Sequence, residues 1–125
     1  MGTEPIIAHV GQLRDISTEI RRCPAFDVRA AEHREHLMRR LALKRALIDL
    51  VDGISTHQQR AGDPDYDAQR GREAANSIAL RTLDASKSLC AEDDVQVREL
   101  ATRAMDLVMA LLADLEGDPK DRENR

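Results

Sequence analysis

Aromatic side chains are almost missing from this sequence: it has no tryptophan, one phenylalanine (Phe26) and one tyrosine (Tyr66). A core must then be built from Leu, Ile, Val, Met and Ala, a palette that suits packed helices better than a sheet. The same lack removes the aromatic platforms on which single-stranded nucleic acids stack. Cysteine is scarce as well. Cys23 and Cys90 are too few for a disulfide scaffold and form no CxxC pair, so free thiols are expected. No apolar run approaches the roughly 20 residues that span a bilayer. The start, Met1-Gly2-Thr3-Glu4-Pro5, lacks the basic residues and apolar segment of a secretory signal. A cytoplasmic protein without a membrane partner is expected. An excess of basic charge is also absent. The net charge is −4, which gives no global electrostatic case for DNA or RNA.

What is present is aliphatic and charged. Hydrophobic residues make up 42% of 125 and charged residues 34%, enough for one cored domain with a highly charged surface. Arginine strongly outnumbers lysine, a compositional bias expected of a GC-rich bacterial genome.

Apolar spacing is helical nearly throughout. A first helix is predicted from about Glu4 to Arg22, with Thr3 as cap, Pro5 in the first turn, and the stripe Ile6, Val10, Leu13, Ile16 and Ile20. Cys23-Pro24 stops it, because the residue before proline avoids the α region. A long second helix is predicted from Asp27 to about Arg60, with a bend or break at Gly53. It carries two stripes: Ala30, His33, Leu37, Leu41, Lys44, Ile48 and Val51 on one side, Leu43, Leu47, Leu50 and Ile54 on another. Two apolar faces on one helix imply several neighbours or a second copy of the chain. Ala61-Gly62-Asp63-Pro64-Asp65 is the clearest turn. A third helix, Tyr66 to Leu89, is capped by Asp63 or Asp65 and has a weak inner face of Ala75, Ile78, Ala79, Leu83 and Leu89. Ala91-Glu92-Asp93-Asp94 then places acid at the start of a fourth helix. Val97, Ala101, Ala104, Val108, Leu111 and Leu115 form its stripe, and Gly117 ends it. Short connections make consecutive helices antiparallel. The expected architecture is all-α: an up-down-up-down four-helix bundle over residues 1–117, followed by a flexible polar tail, 118–125.

Chemistry concentrates in Glu32-His33-Arg34-Glu35-His36. Residues three apart share a helix face, so His33 with His36, and Glu32 with Glu35, can each approach one point. These four are the candidate metal ligands. Carboxylate-bridged di-iron bundles use Glu-x-x-His on two helices plus further carboxylates. Here the spacing gives Glu-x-x-Glu and His-x-x-His, and the third and fourth helices hold no histidine. His33-Arg34-Glu35-His36 is also one residue short of the inverted zinc-protease motif. Glu32-x-x-Glu35 with Asp49-x-x-Asp52 resembles the paired acidic motifs of helical nucleotide pyrophosphatases, but both pairs fall on one predicted helix, about 20 Å or more apart. The spacing of Arg29 and His36 resembles the Arg-x(4–6)-His element of a family of small all-helical ribonucleases. That resemblance implies RNA cleavage by Arg29 and His36 at a dimer groove.

Neither a cofactor nor a convincing catalytic set is expected. The leading expectation is a regulatory or accessory protein acting by protein–protein contact, as a homodimer and toward another, unidentified protein. Its interface is predicted from the surplus apolar residues Leu43, Leu47, Leu50 and Ile54 of the second helix and Met105, Met109 and Leu112 of the fourth. The alternatives are a small enzyme at His33 and His36, metal-dependent or ribonuclease-like, and a nucleic-acid-binding regulator. The last rests on the basic run Arg34, Arg39, Arg40, Lys44 and Arg45, of which Arg34 and Arg45 share a helix face.

Overall fold

The computed structural model describes residues 3–27, 34–60 and 62–115, with side chains from residue 8 onward. They form α1 (Thr3–Arg22), α2 (Arg34–Arg60), α3 (Ala68–Leu89) and α4 (Val95–Leu115), with a 3₁₀ turn at Pro24–Phe26. No strand occurs among the described residues. Each helix packs on the next, and α4 closes the ring on α1. The pairings fix the directions. Arg14 of α1 reaches Ser55 late in α2, whereas Ala25 beyond α1 meets Arg40 near the start of α2. Asp49 meets Arg81, and Gly53 lies against Ile78. His9 approaches Asp114, and Glu19 meets Arg103. In each of these three pairs one number rises as the other falls, so α1–α2, α2–α3 and α1–α4 are antiparallel, and the direction of α3 against α4 follows from them. This is the expected up-down-up-down bundle.

The core follows the predicted stripes. Val10, Leu13, Ile16 and Ile20 of α1 are buried, as are all six stripe residues of α4. Phe26 in the 3₁₀ turn plugs one end at 1% exposure. Fully burying a Leu or Ile contributes about 1.5–3 kcal/mol, which makes this aliphatic layer the main source of stability. The seam between α2 and α3 is built differently. It is made from Ala46, Ala75, Ala79, Thr82 and Ser86, none more than 1% exposed. Small side chains let the two backbones approach. The two hydroxyls are satisfied within their own helix: Thr82 Oγ1 donates to Ile78 O at 2.8 Å and Ser86 Oγ to Thr82 O at 2.8 Å. Thr82 and Ser86 thus extend the inner face of α3 beyond its apolar residues.

Several expectations are corrected. The expected start of α2 near Asp27 falls on residues 28–33, which lie outside the described residues. Asp27 follows the 3₁₀ turn with extended backbone, φ −80° and ψ 122°, and α2 is described from Arg34. Its 27 residues span about 40 Å. Gly53 does not break α2; a Cβ there would stand 3.3 Å from Ile78 Cδ1, so glycine eases the close seam. The cap of α3 is Asp67, whose Oδ1 accepts from Arg70 N at 3.1 Å, rather than Asp63 or Asp65. Asp63 instead closes the turn by accepting from Asp65 N. Asp94 caps α4, accepting from the backbone N–H groups of Gln96 and Val97. Cys23 and Cys90 are both free, and the Cys90 thiol donates to Ser86 O. The expectations for Thr3, Pro5 and Ile6 side chains, for Gly117 and for the tail 118–125 lie outside the described residues. No helix among the described residues is long and apolar enough to cross a membrane.

Candidate functional site

Antiparallel topology brings the end of α1, the start of α2 and the α3–α4 connection to one pole. Glu92 sits there, 6% exposed. Arg40 Nε donates to its Oε1 at 2.9 Å, and Arg40 Nη1 also reaches Ala25 O at 3.3 Å. His36 Nδ1 lies 2.9 Å from Glu92 Oε2 and 3.0 Å from Arg39 Nη2. One ring nitrogen cannot accept from Arg39 and donate to Glu92 at once. The buried carboxylate is the group that needs a donor, while exposed Arg39 has water, so Nδ1–H points to Glu92. Burial pushes the Glu92 pKa up. The hydrogen bonds and charges of Arg40 and His36 outweigh it and hold the carboxyl below its ordinary value. Arg98 Nη1 adds a bond to the Glu92 main-chain oxygen at 3.3 Å. Glu92, expected as an exposed helix-start acid, is thus a clasp that ties α2 to the α3–α4 connection and, through Arg40, to the chain after α1.

This placement bears on the Glu/His cluster. His36 faces a structural carboxylate, and Glu35 is exposed. Arg29, Glu32 and His33 lie outside the described residues. No group of three or more His, Cys, Asp or Glu residues suited to a metal occurs among the described residues. Asp49 is engaged elsewhere: Arg81 Nη2 donates to its Oδ2 at 2.6 Å. The described part of the cluster therefore offers no converging ligand set.

The opposite pole holds a second polar contact. His57, 9% exposed, has Nδ1 2.7 Å from the Tyr66 hydroxyl, and Arg60 stacks its guanidinium 5.0 Å from the Tyr66 ring centre. Gly71 makes room for this: a Cβ there would overlap the Tyr66 hydroxyl and stand 2.8 Å from His57 Nδ1. Burial, then the charge of Arg72, lower the His57 pKa from 6.5. The ring stays neutral, which leaves Nδ1 able to accept from the Tyr66 hydroxyl. Unfolding restores the ordinary value, so the unfolded chain binds more protons just below it. Stability is full above pH 6.5 and falls as pH drops toward the lowered folded value. Urea denaturation at pH 7 and pH 5.5 is expected to show this loss in the wild type and a smaller one in His57→Gln.

The third region is the face of α2 turned away from the bundle. Leu43, Leu47, Leu50 and Ile54, predicted as interface, are each 0% exposed within the single chain. They form the core and leave no surface for a partner. Of the α4 residues predicted with them, Leu112 packs on the core and Met105 lies against Cys90, leaving Met109 exposed at 54%. The unpartnered stripe of α2 is the opposite one: Arg34, Met38, Leu41, Arg45, Ile48 and Asp52. The spacing 4-3-4-3-4 keeps these six on one line, directly away from Leu43, Leu47 and Leu50. Met38 is 60% exposed, and Leu41 and Ile48 are partly buried without being packed against the core cluster. Among the described residues Arg34, Arg45 and Asp52 have no intrachain ion pair. The sequence carried this line; the interrupting Arg45 hid it from a search for apolar repeats.

No protein-family model, curated protein or solved structure matches the chain. The architecture defines it as an all-α four-helix bundle, and its function must be argued from these surfaces.

Proposed function

We propose that this protein acts by protein–protein contact, with the outer stripe of α2 as its working surface and an amphipathic helix as what that surface receives. The observation that supports this is the one unpartnered line on α2: Met38, Leu41 and Ile48 at heptad spacing, between charged residues with no partner of their own. Three apolar residues in a line on a rigid helix match how helices recognise each other, through side chains three and four apart. The other large exposed apolar residues, Leu80, Val95 and Met109, belong to α3 and α4. The polar clusters at the two poles hold helices together. His36 orients toward Glu92, and His57 toward Tyr66.

The test is position-specific crosslinking in cells. A photoreactive side chain is placed at Met38 or Ile48, and at the exposed positions Glu73 and Glu99 as controls. One adduct of defined mass is expected from the α2 positions and none from the controls. Equal yields at all four positions, or none anywhere, would rule out the reading.

A further inference from the structure

Resting on that reading, we infer that the helix received by α2 is α2 of a second copy, antiparallel to the first. Charge order along the stripe carries the inference. Arg34 stands at one end, Arg45 in the middle and Asp52 at the other end. A parallel pairing would set each of these against its own copy: Arg on Arg, Arg on Arg, Asp on Asp. That costs energy at all three positions. An antiparallel pairing about a twofold axis beside Leu43 does the reverse. Position n then faces position 86 − n of the other chain, so that its layers are Arg34 with Asp52, Met38 with Ile48, and Leu41 with Arg45, each occurring twice by symmetry. Every apolar residue of the stripe meets an apolar residue or the aliphatic stem of Arg45. Both ends close with an Arg–Asp pair.

Moving the register by one heptad in one direction sets Arg45 on Ile48 and Leu41 on Asp52. This strands an aspartate on a leucine. Moving it the other way removes Met38–Ile48. One register thus matches charge and apolarity together. The pairing is isologous, so it closes as a dimer and leaves nothing to propagate.

The contact is short. From Arg34 to Asp52 is about 27 Å of helix. A single helix pair of that length sits at the low end of interface sizes, which fits a dissociation constant in the range of ~10–100 µM rather than an obligate dimer. Both copies keep their own cores, because none of the stripe residues is among the buried core residues.

Sedimentation equilibrium on the full chain, from about 5 µM to 1 mM, tests this. Wild type is expected to pass from one chain to two. Arg34→Glu and Asp52→Arg each set like charges together at both ends and are expected to weaken the dimer tenfold or more. The double variant Arg34→Glu/Asp52→Arg restores opposite charges in the same register. It is expected to return to within about threefold of wild type. Both positions are exposed, and far-UV circular dichroism checks that the fold is kept. Two further variants separate the possible failures. If Ile48→Lys abolishes the dimer but the double charge variant does not restore it, the register is overturned while α2 remains the contact surface. If Met109→Lys abolishes it and Ile48→Lys does not, α4 is the interface and the inference fails. A wild type that stays monomeric at 1 mM overturns self-pairing, and the crosslinking then decides alone whether α2 receives a different helix.

Discussion

Replacing Ala79 with leucine is expected to destabilise the protein by about 3 kcal/mol, the upper end of the range for overpacking a close core. Ala79 is 0% exposed in the seam where α3 approaches α2. Ala46 and Ala75, each 1% exposed, share the seam, so small side chains hold the two helices close. Three added carbons must push α2 and α3 apart. That separation would also stretch the close approach of Gly53 to Ile78. On a solvated helix position the same change would be nearly neutral, because alanine and leucine have similar helix propensities. Urea unfolding of Ala79→Leu beside Ala74→Leu, an exposed position on the same helix, measures the difference. Equal stability of the two variants would show that the seam is not closely packed.

The second large effect is expected at Arg40. Arg40→Leu leaves the Glu92 carboxylate without its Nε donor and without the nearest positive charge. It also removes the bond to Ala25 O. Taking one partner from a buried pair costs about 3–5 kcal/mol where both groups are fully enclosed. Arg40 keeps 19% of its side-chain surface and His36, the other donor, 46%, so water relieves part of that cost. We expect about 2–3 kcal/mol at pH 7. The double variant Arg40→Leu/Glu92→Leu should lose less than Arg40→Leu alone, since it leaves no stranded charge. The pH dependence has a definite sign. The folded Glu92 pKa lies below its unfolded value, so the carboxylate stabilises the fold above about pH 4.5 and the contribution is lost as pH falls through the lowered folded value. Arg40→Leu should flatten this acid limb. An unchanged limb would assign the acid sensitivity to other carboxylates.

The class and order of the helices were legible because the apolar repeats of α1 and α4 each have a single face. Cys23-Pro24 also marks its boundary unambiguously, and α1 ends at Arg22 as read. α2 was harder. It carries aliphatic residues on two opposite sides, Leu43, Leu47, Leu50 and Ile54 on one, and Leu41 and Ile48 among charged residues on the other. The deciding facts are tertiary: α3 offers an alanine and hydroxyl seam that only the Leu43–Leu47–Leu50 side can meet. The interface read from those leucines was therefore turned inside out. Glu92 was lost for a similar reason. In sequence it stands among Asp93 and Asp94 as helix-start acid, and only the fold brings Arg40 and His36 to it across 52 and 56 residues. His57 stands alone in the sequence, and Tyr66 and Gly71 shortly after it are the local signal of its contact. The Glu32–His36 segment is the part where sequence and structure meet least, since Glu32 and His33 fall outside the described residues.

The central claim is that this chain works by meeting another copy through the outer stripe of α2 rather than by holding a ligand. Native mass spectrometry tests it most directly, on untagged protein purified without chelator at about 50 µM, near the middle of the expected dissociation range. The expected spectrum contains ions at 14.0 kDa and at twice that mass, with the second set missing in Asp52→Arg and neither carrying additional mass. Ions at one chain only, bearing a surplus that matches a metal ion or a small molecule, would contradict the claim and return the question to His36 and the residues before it.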